Sequence, residues 1–184
     1  MMTNSSLSGI DYVNISQNVT IVPRLRYSND LLYEIINTLK MKRNKIKKSN
    51  RIILSQFDCE EKICQNALEI EKTFAFSIEI LSQIQKRTYM ISGIASIPKL
   101  LPSAIPMIRT ISAQLFEILP ECSQKLSELS VHLGSIVLDS ATLTKARFDF
   151  SLSNEESTIL LDEVKLMVDS KINKQYPNLN FFKV

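Results

Sequence analysis

From about residue 27 onward the apolar positions recur every three or four residues, the period of an α-helix. Leu32, Ile35, Ile36, Leu39, Ile46 and Ile53 follow at three-, four- and seven-residue intervals, with Arg43 and Asn50 in the intervening seam positions of an imperfect heptad stripe. Ser28, Asn29 and Asp30 are good N-cap residues, and Glu34 sets a negative charge against the positive end of the helix dipole. The pattern predicts a first helix over about 29–57. A second stripe, Ile63, Ala67, Ile70, Phe74, Ser77, Leu81, Ile84, Thr88 and Ile91, predicts a helix over 59–97 opened by Asp58. Only a residue or two separates the stripes, so the helices either fuse into a rod or fold back. Asp58 with Glu60 and Glu61 favours the turn, and a long antiparallel helical hairpin is the expected result.

Ile97-Pro98, Pro102 and Pro106 break the second helix, because proline removes a donor and restricts the residue before it. Ile108, Ile111, Leu115, Ile118 and Leu119 mark a helix over 107–119, and Pro120 opens another over 120–141 carrying Leu126, Leu129, Leu133, Ile136 and Val137. Residues 142–153 read as a linker. Residues 154–176 form a last amphipathic helix with Ile159, Leu160, Val164, Met167, Val168 and Ile172 on one side, and 177–184 is an apolar tail. The segment 1–26, rich in Ser, Asn and Thr, alternates at Val13, Ile15, Gln17, Val19 and Ile21 and reads as a flexible arm or a single strand. The fold class is all-α: a helical core over 27–141, with the hairpin carrying shorter C-terminal helices packed on or beside it.

Composition narrows the chemistry. The 184 residues contain three glycines, too few for the closely spaced glycines of phosphate-cradling loops. Three cysteines and one histidine read as reduced thiols in a cytosol-like compartment, with no metal site and no cofactor. No apolar run reaches the ~18 residues of a membrane span, so the chain is expected to be cytoplasmic or peripheral to a membrane. Adjacent carboxylates such as Glu60 and Glu61, or Glu155 and Glu156, point to different helix faces, which suits solvation better than acid–base work. His132 has no sequence partner to orient it. No catalytic site, and no enzyme, is expected.

Charge is segregated. Lys40, Lys42, Arg43, Lys45, Lys47, Lys48 and Arg51 fall within twelve residues that contain no acid. Residues 24–57 hold nine basic against two acidic residues, whereas 117–169 hold four against ten. A long amphipathic helix needs a solvated face, but such faces normally mix signs so that i,i+4 pairs support the helix. A block of one sign therefore points to an anionic partner, either membrane or nucleic acid. No aromatics are interleaved with these cations for base stacking, which disfavours nucleic acid. A nucleic-acid-binding protein and a passive helical scaffold are the alternative readings.

The order of basic helix, hairpin, second long helix, proline-marked break and shorter acidic helices resembles the ESCRT-III family, in particular its archaeal cell-division branch, called CdvB. The most specific segment runs from Ile105-Pro106-Met107-Ile108-Arg109-Thr110-Ile111 through Ile118-Leu119-Pro120-Glu121 to Leu126-Ser127-Glu128-Leu129; the ending Tyr176-Pro177-Asn178-Leu179 is similar too. The resemblance implies a subunit of a homo- or hetero-polymer with ESCRT-III-like paralogues. Such a subunit binds anionic membrane through the seven first-helix cations, polymerises through its hairpin, and remodels membrane at the division site on the inner membrane face. It further implies a recruited AAA ATPase whose microtubule-interacting-and-transport (MIT) domain grips a C-terminal motif. The helical form of that motif expects a basic residue between its leucines, where residues 156–168 offer Asp162 and Lys165. Leu160, Leu161, Val164, Met167 and Val168 are accordingly expected either to meet a partner or to dock on the core as an autoinhibitory helix.

Overall fold

The computed structural model describes the backbone of residues 9–55, 61–147 and 149–177, and the side chains of 20–55, 62–147, 149 and 151–177. All regular structure among these residues is helical: α1 (Gly9–Ser55), α2 (Glu61–Tyr89), a 3-10 turn (Ile94–Ser96), α3 (Ile97–Leu100), α4 (Ala104–Leu115), α5 (Pro120–Thr144) and α6 (Phe150–Gln175).

The longest element is α1, whose 47 residues would span ~70 Å at 1.5 Å per residue. It replaces the expected arm or strand, since helix already runs from Gly9. Pro23 lies inside it, where the ring costs one backbone hydrogen bond. Ile21, assigned by alternation to a strand, is instead buried in the helical core.

Polar contacts fix how α1 meets its neighbours. Asn29 accepts a hydrogen bond from Thr88, the Arg43 guanidinium lies beside Glu71, and Asn50 donates to the carbonyl of Ala67, so α1 and α2 run antiparallel. The connection between them, with Asp58 and Glu60, lies outside the described residues. On another side α1 meets α5, also antiparallel, through Arg24 with Asp139 and Ser135, Tyr27 with His132, and Glu34 with Lys125. Leu32, Ile35, Ile36 and Leu39 are buried between these partners, as the heptad stripe requires.

The second stripe needs a correction. Ile63 and Ile70 are 51% and 37% exposed, and Cys64, Leu68 and Glu71 take their place inside. Farther along, α2 also faces α6, and Phe74, Ala75, Phe76 and Ser77 are all buried, an arc too wide for one stripe. Helix α2 stops at Tyr89, eight residues short of the expectation, and extended Gly93 leads into the 3-10 turn before Pro98 restarts helix in the first turn of α3.

Helix α4 starts at Ala104, ahead of the expected 107. Pro106 falls in its first turn, where the missing N–H has no intrahelical acceptor to lose. Pro120 opens α5 as expected. The two cross closely because serines line the contact: Ser112 Oγ donates to the Ser123 carbonyl at 2.9 Å and Ser123 Oγ to the Ser112 carbonyl at 2.8 Å. Much of the expected linker is helical, since α5 continues to Thr144 and α6 begins at Phe150. Asp149 caps α6, its side chain accepting the Ser151 N–H at 2.8 Å; the Ser151 hydroxyl, and then this N–H, hold the carboxyl below the usual carboxylate range. The tail 178–184 lies outside the described residues.

Two positions, one within α5 and one at its C-terminal end, are open to improvement. A Cβ on Gly134 would meet only Ile105 Cδ1, at an ordinary 3.9 Å, so Gly134→Ala should stabilise by about 0.5–1 kcal/mol through helix propensity. Lys145 ends the helix in the left-handed region, φ 53°, with the Ala146 N–H reaching back to the Ala141 carbonyl. Lys145→Gly should add about 1 kcal/mol by removing the strain of a side chain there. Thermal unfolding should show each as a rise of roughly 2–4 °C per kcal/mol; a fall for Gly134→Ala would mean that α5 packs more tightly than these distances imply.

Candidate functional site

The first-helix cations occupy the half of α1 that reaches beyond α5. Pairing through Arg24–Asp139 and Glu34–Lys125 brings the start of α5 level with about residue 39 of α1. Past that point α1 carries Lys40, Lys42, Lys45, Lys48 and Arg51 exposed, with Arg43 and Lys47 half-buried. Among the described residues only Arg43 of the seven makes an ion pair. The cations do not share one face: Lys40, Lys47 and Arg51, spaced seven and four apart, lie on one flank, and Lys45 and Lys48 face outward. Met41 and Ile52, 61% and 63% exposed, complete this outward strip in steps of four, three and four.

Where Arg43 leaves that set, a buried carboxylate explains it. Glu71 on α2 is fully buried, and burying a charge is costly unless hydrogen bonds compensate. Asn50 Nδ2 donates to it at 3.0 Å, the Tyr176 hydroxyl at 2.8 Å and Gln175 Nε2 at 3.1 Å, with an Arg43 guanidinium nitrogen 3.9 Å away. Three helices thus meet on one side chain: α1 through Arg43 and Asn50, α2 through Glu71 itself, and the end of α6 through Gln175 and Tyr176. Burial first, then the hydrogen bond to the Glu71 carboxylate, pushes the Tyr176 phenol up to about 12.

The whole of α6 is laid along α2 in the opposite direction, from Arg87–Glu156 at 2.9 Å through Lys72–Asp169 at 3.1 Å to the Glu71 cluster. Val164, Val168 and Ile172 are buried, and Leu160, Leu161 and Met167 pack half-buried against the core. All five members of the expected partner-or-docking set, Leu160, Leu161, Val164, Met167 and Val168, therefore sit on the molecule's own core. Ile159, expected on the same side, is corrected: it is 60% exposed. A cavity of 230 Å³ remains between α2, α4 and α6, edged by Lys72, Gln114, Lys165 and Asp169.

The cysteine reading is also corrected. Cys64 is disulfide-bonded, so the three thiols are not all reduced; the other half of the bridge lies outside the described residues. Cys122 is free and buried, and burial pushes its thiol up, away from reactivity. Among the described residues no helix is long and apolar enough to cross a membrane.

Periodicity placed Asn50 and Arg43 in the seam of α1 but did not find Glu71. The available signal was two polar residues seven apart in an otherwise apolar stripe, which require a polar counterpart across the interface. No family model matches the chain, and no solved structure matches its fold.

Glu71→Ala should cost about 1–3 kcal/mol in urea unfolding, because Asn50 and Tyr176 lose a buried acceptor; an unchanged midpoint would remove this cluster as a structural tie. The Tyr176 phenol is raised above its ordinary ~10 on folding, so its contribution is complete below pH ~10 and is lost as pH rises through about 12. Tyr176→Phe should flatten the stability–pH curve in that window, and thermal unfolding at graded alkaline pH would show whether it does.

Proposed function

We propose that this chain is a non-enzymatic, membrane-remodelling filament subunit of ESCRT-III-like type, acting in archaeal-type cell division or membrane scission. In this reading the α1–α2 pair is the family's helical hairpin, the shorter helices pack beside it, and the inner face of the membrane at the division site is the surface it works on. The observation that carries the reading is the cationic end of α1: five exposed cations, Lys40, Lys42, Lys45, Lys48 and Arg51, on a helix that also exposes Met41 and Ile52. That mixture suits the boundary between anionic headgroups and acyl chains, where lysine stems extend along apolar surface and their charges reach the headgroups.

Polymerisation with copies of itself or with paralogues belongs to the same proposal. Docked α6 gives it a closed form, in which Leu160, Leu161, Val164, Met167 and Val168 are occupied by the core and therefore withheld from an MIT-domain ATPase.

Each cation near an anionic surface contributes ~1 kcal/mol, about fivefold in affinity. Replacing Lys40, Lys42, Lys45, Lys48 and Arg51 by Glu, and sparing Arg43 for its place beside Glu71, should abolish pelleting with phosphatidylserine vesicles while the circular dichroism spectrum stays helical. Unchanged pelleting would sink the membrane assignment. Retained lipid binding with equal loss of duplex DNA binding would instead favour the nucleic-acid reading.

A further inference from the structure

Helix α6 has a second apolar stripe. Leu152, Ile159 and Leu166, spaced seven residues apart, are 63%, 60% and 72% exposed, and they lie opposite Ser157, Val164, Val168 and Ile172, which are buried against the core. Three large apolar side chains at heptad spacing on one exposed line form half of a helix–helix seam. The line is flanked by Glu155, Asp162 and Glu163, all exposed and in no ion pair among the described residues. The single cation in this stretch, Lys165, lies on the shoulder beside the cavity lined by Lys72 and Asp169.

We propose that this outward face of α6 docks the cationic outward strip of α1, Met41, Lys45, Lys48 and Ile52, of a second copy of this chain. Charge selects the occupant. Two α6 faces brought together would set acids against acids at close range, whereas the α1 strip presents two apolar side chains with two lysines between them. The lengths agree as well: Met41 to Ile52 covers ~16 Å and Leu152 to Leu166 ~21 Å of helix.

The contact forms between copies rather than within one. Inside a single chain α6 lies along α2 with its stripe turned away from the molecule, and the α1 strip likewise faces away from α2. Because the two faces are unlike, a pair of molecules retains one free face of each kind and continues to add copies unless the geometry closes. In the assembled form Met41, Lys45, Lys48 and Ile52 are covered by the neighbouring copy and face lipid only in a free subunit, while Lys40 and Arg51, exposed on the flank of α1, meet the anionic surface in both. The inference rests on the filament reading above for its biological meaning and supplies that filament with a subunit contact.

The test uses the full chain without lipid, so its failure is separate from failure of vesicle pelleting. Sedimentation velocity at low salt should show the wild type assembling beyond a monomer. Ile159→Glu with Leu166→Glu should leave a monomer, as should Lys45→Glu with Lys48→Glu, and as should Asp162→Lys with Glu163→Lys. All these positions are exposed, and circular dichroism checks that each variant folds. Mixing the Lys45/Lys48 and Asp162/Glu163 variants should restore a complex, because each presents the reversed charge to the other. A wild type that remains monomeric, assembly indifferent to the α6 substitutions, or a mixture that sediments as its separate parts would each overturn the proposal.

Discussion

A carboxylate with no access to water governs how the helices of this chain align. Glu71 must be met by donors from whatever surrounds it, and its donors come from two other helices, α1 and α6. An apolar stripe would tolerate a slide of one turn, since leucine and isoleucine pack against many neighbours at nearly equal cost. A buried acceptor would not, because a shift of one turn leaves the charge and its donors unmatched at the same time. The Glu71 cluster therefore sets the register of α1 on α2 and anchors the end of α6 to both.

The rest of the architecture follows from that alignment. With α2 pinned by its first half, the salt bridges from Lys72 to Asp169 and from Arg87 to Glu156 carry α6 along it, while α5 occupies the remaining side of α1. The electrostatic pattern is then one of partial neutralisation. Arg24, Arg87 and Lys125 meet acids from distant parts of the chain, whereas past residue 39 α1 lays seven cations along α2 and, among the described residues, only Arg43 of them pairs with an acid. The segregation evident in the linear sequence thus survives folding, concentrated at one end of the long helix.

Helix content and most helix positions were legible because apolar spacing is a local property: Leu126, Leu129, Leu133, Ile136 and Val137 are buried as their spacing requires. Boundaries that depend on proline were less legible, since proline stops a helix in its interior and suits its first turn. Pro106 was assigned to the former, yet α4 begins just ahead of it, and α1 runs through Pro23. The faces of α2 and α6 were misread where a helix touches more than one neighbour or carries apolar residues on both sides. Ile63, Ile70 and Ile159 fit a three-four spacing as well as their buried neighbours do, and only tertiary contact selects between such stripes. The cations were found from sequence; that Arg43 belongs to the interior cluster was not, because its partner is distant in the chain.

The two halves of α1 are held in different ways. Between Ile21 and Leu39 six apolar side chains are buried almost completely, whereas past Leu39 Asn50 alone is buried and Ile46 and Leu54 are only partly covered. Local opening draws on few apolar contacts at such a place, so the molecule has a firm end and a yielding one. A surface on the yielding end can adjust its curvature to whatever it meets, at a small cost in native packing, while the firm end keeps the subunit's shape from one copy to the next.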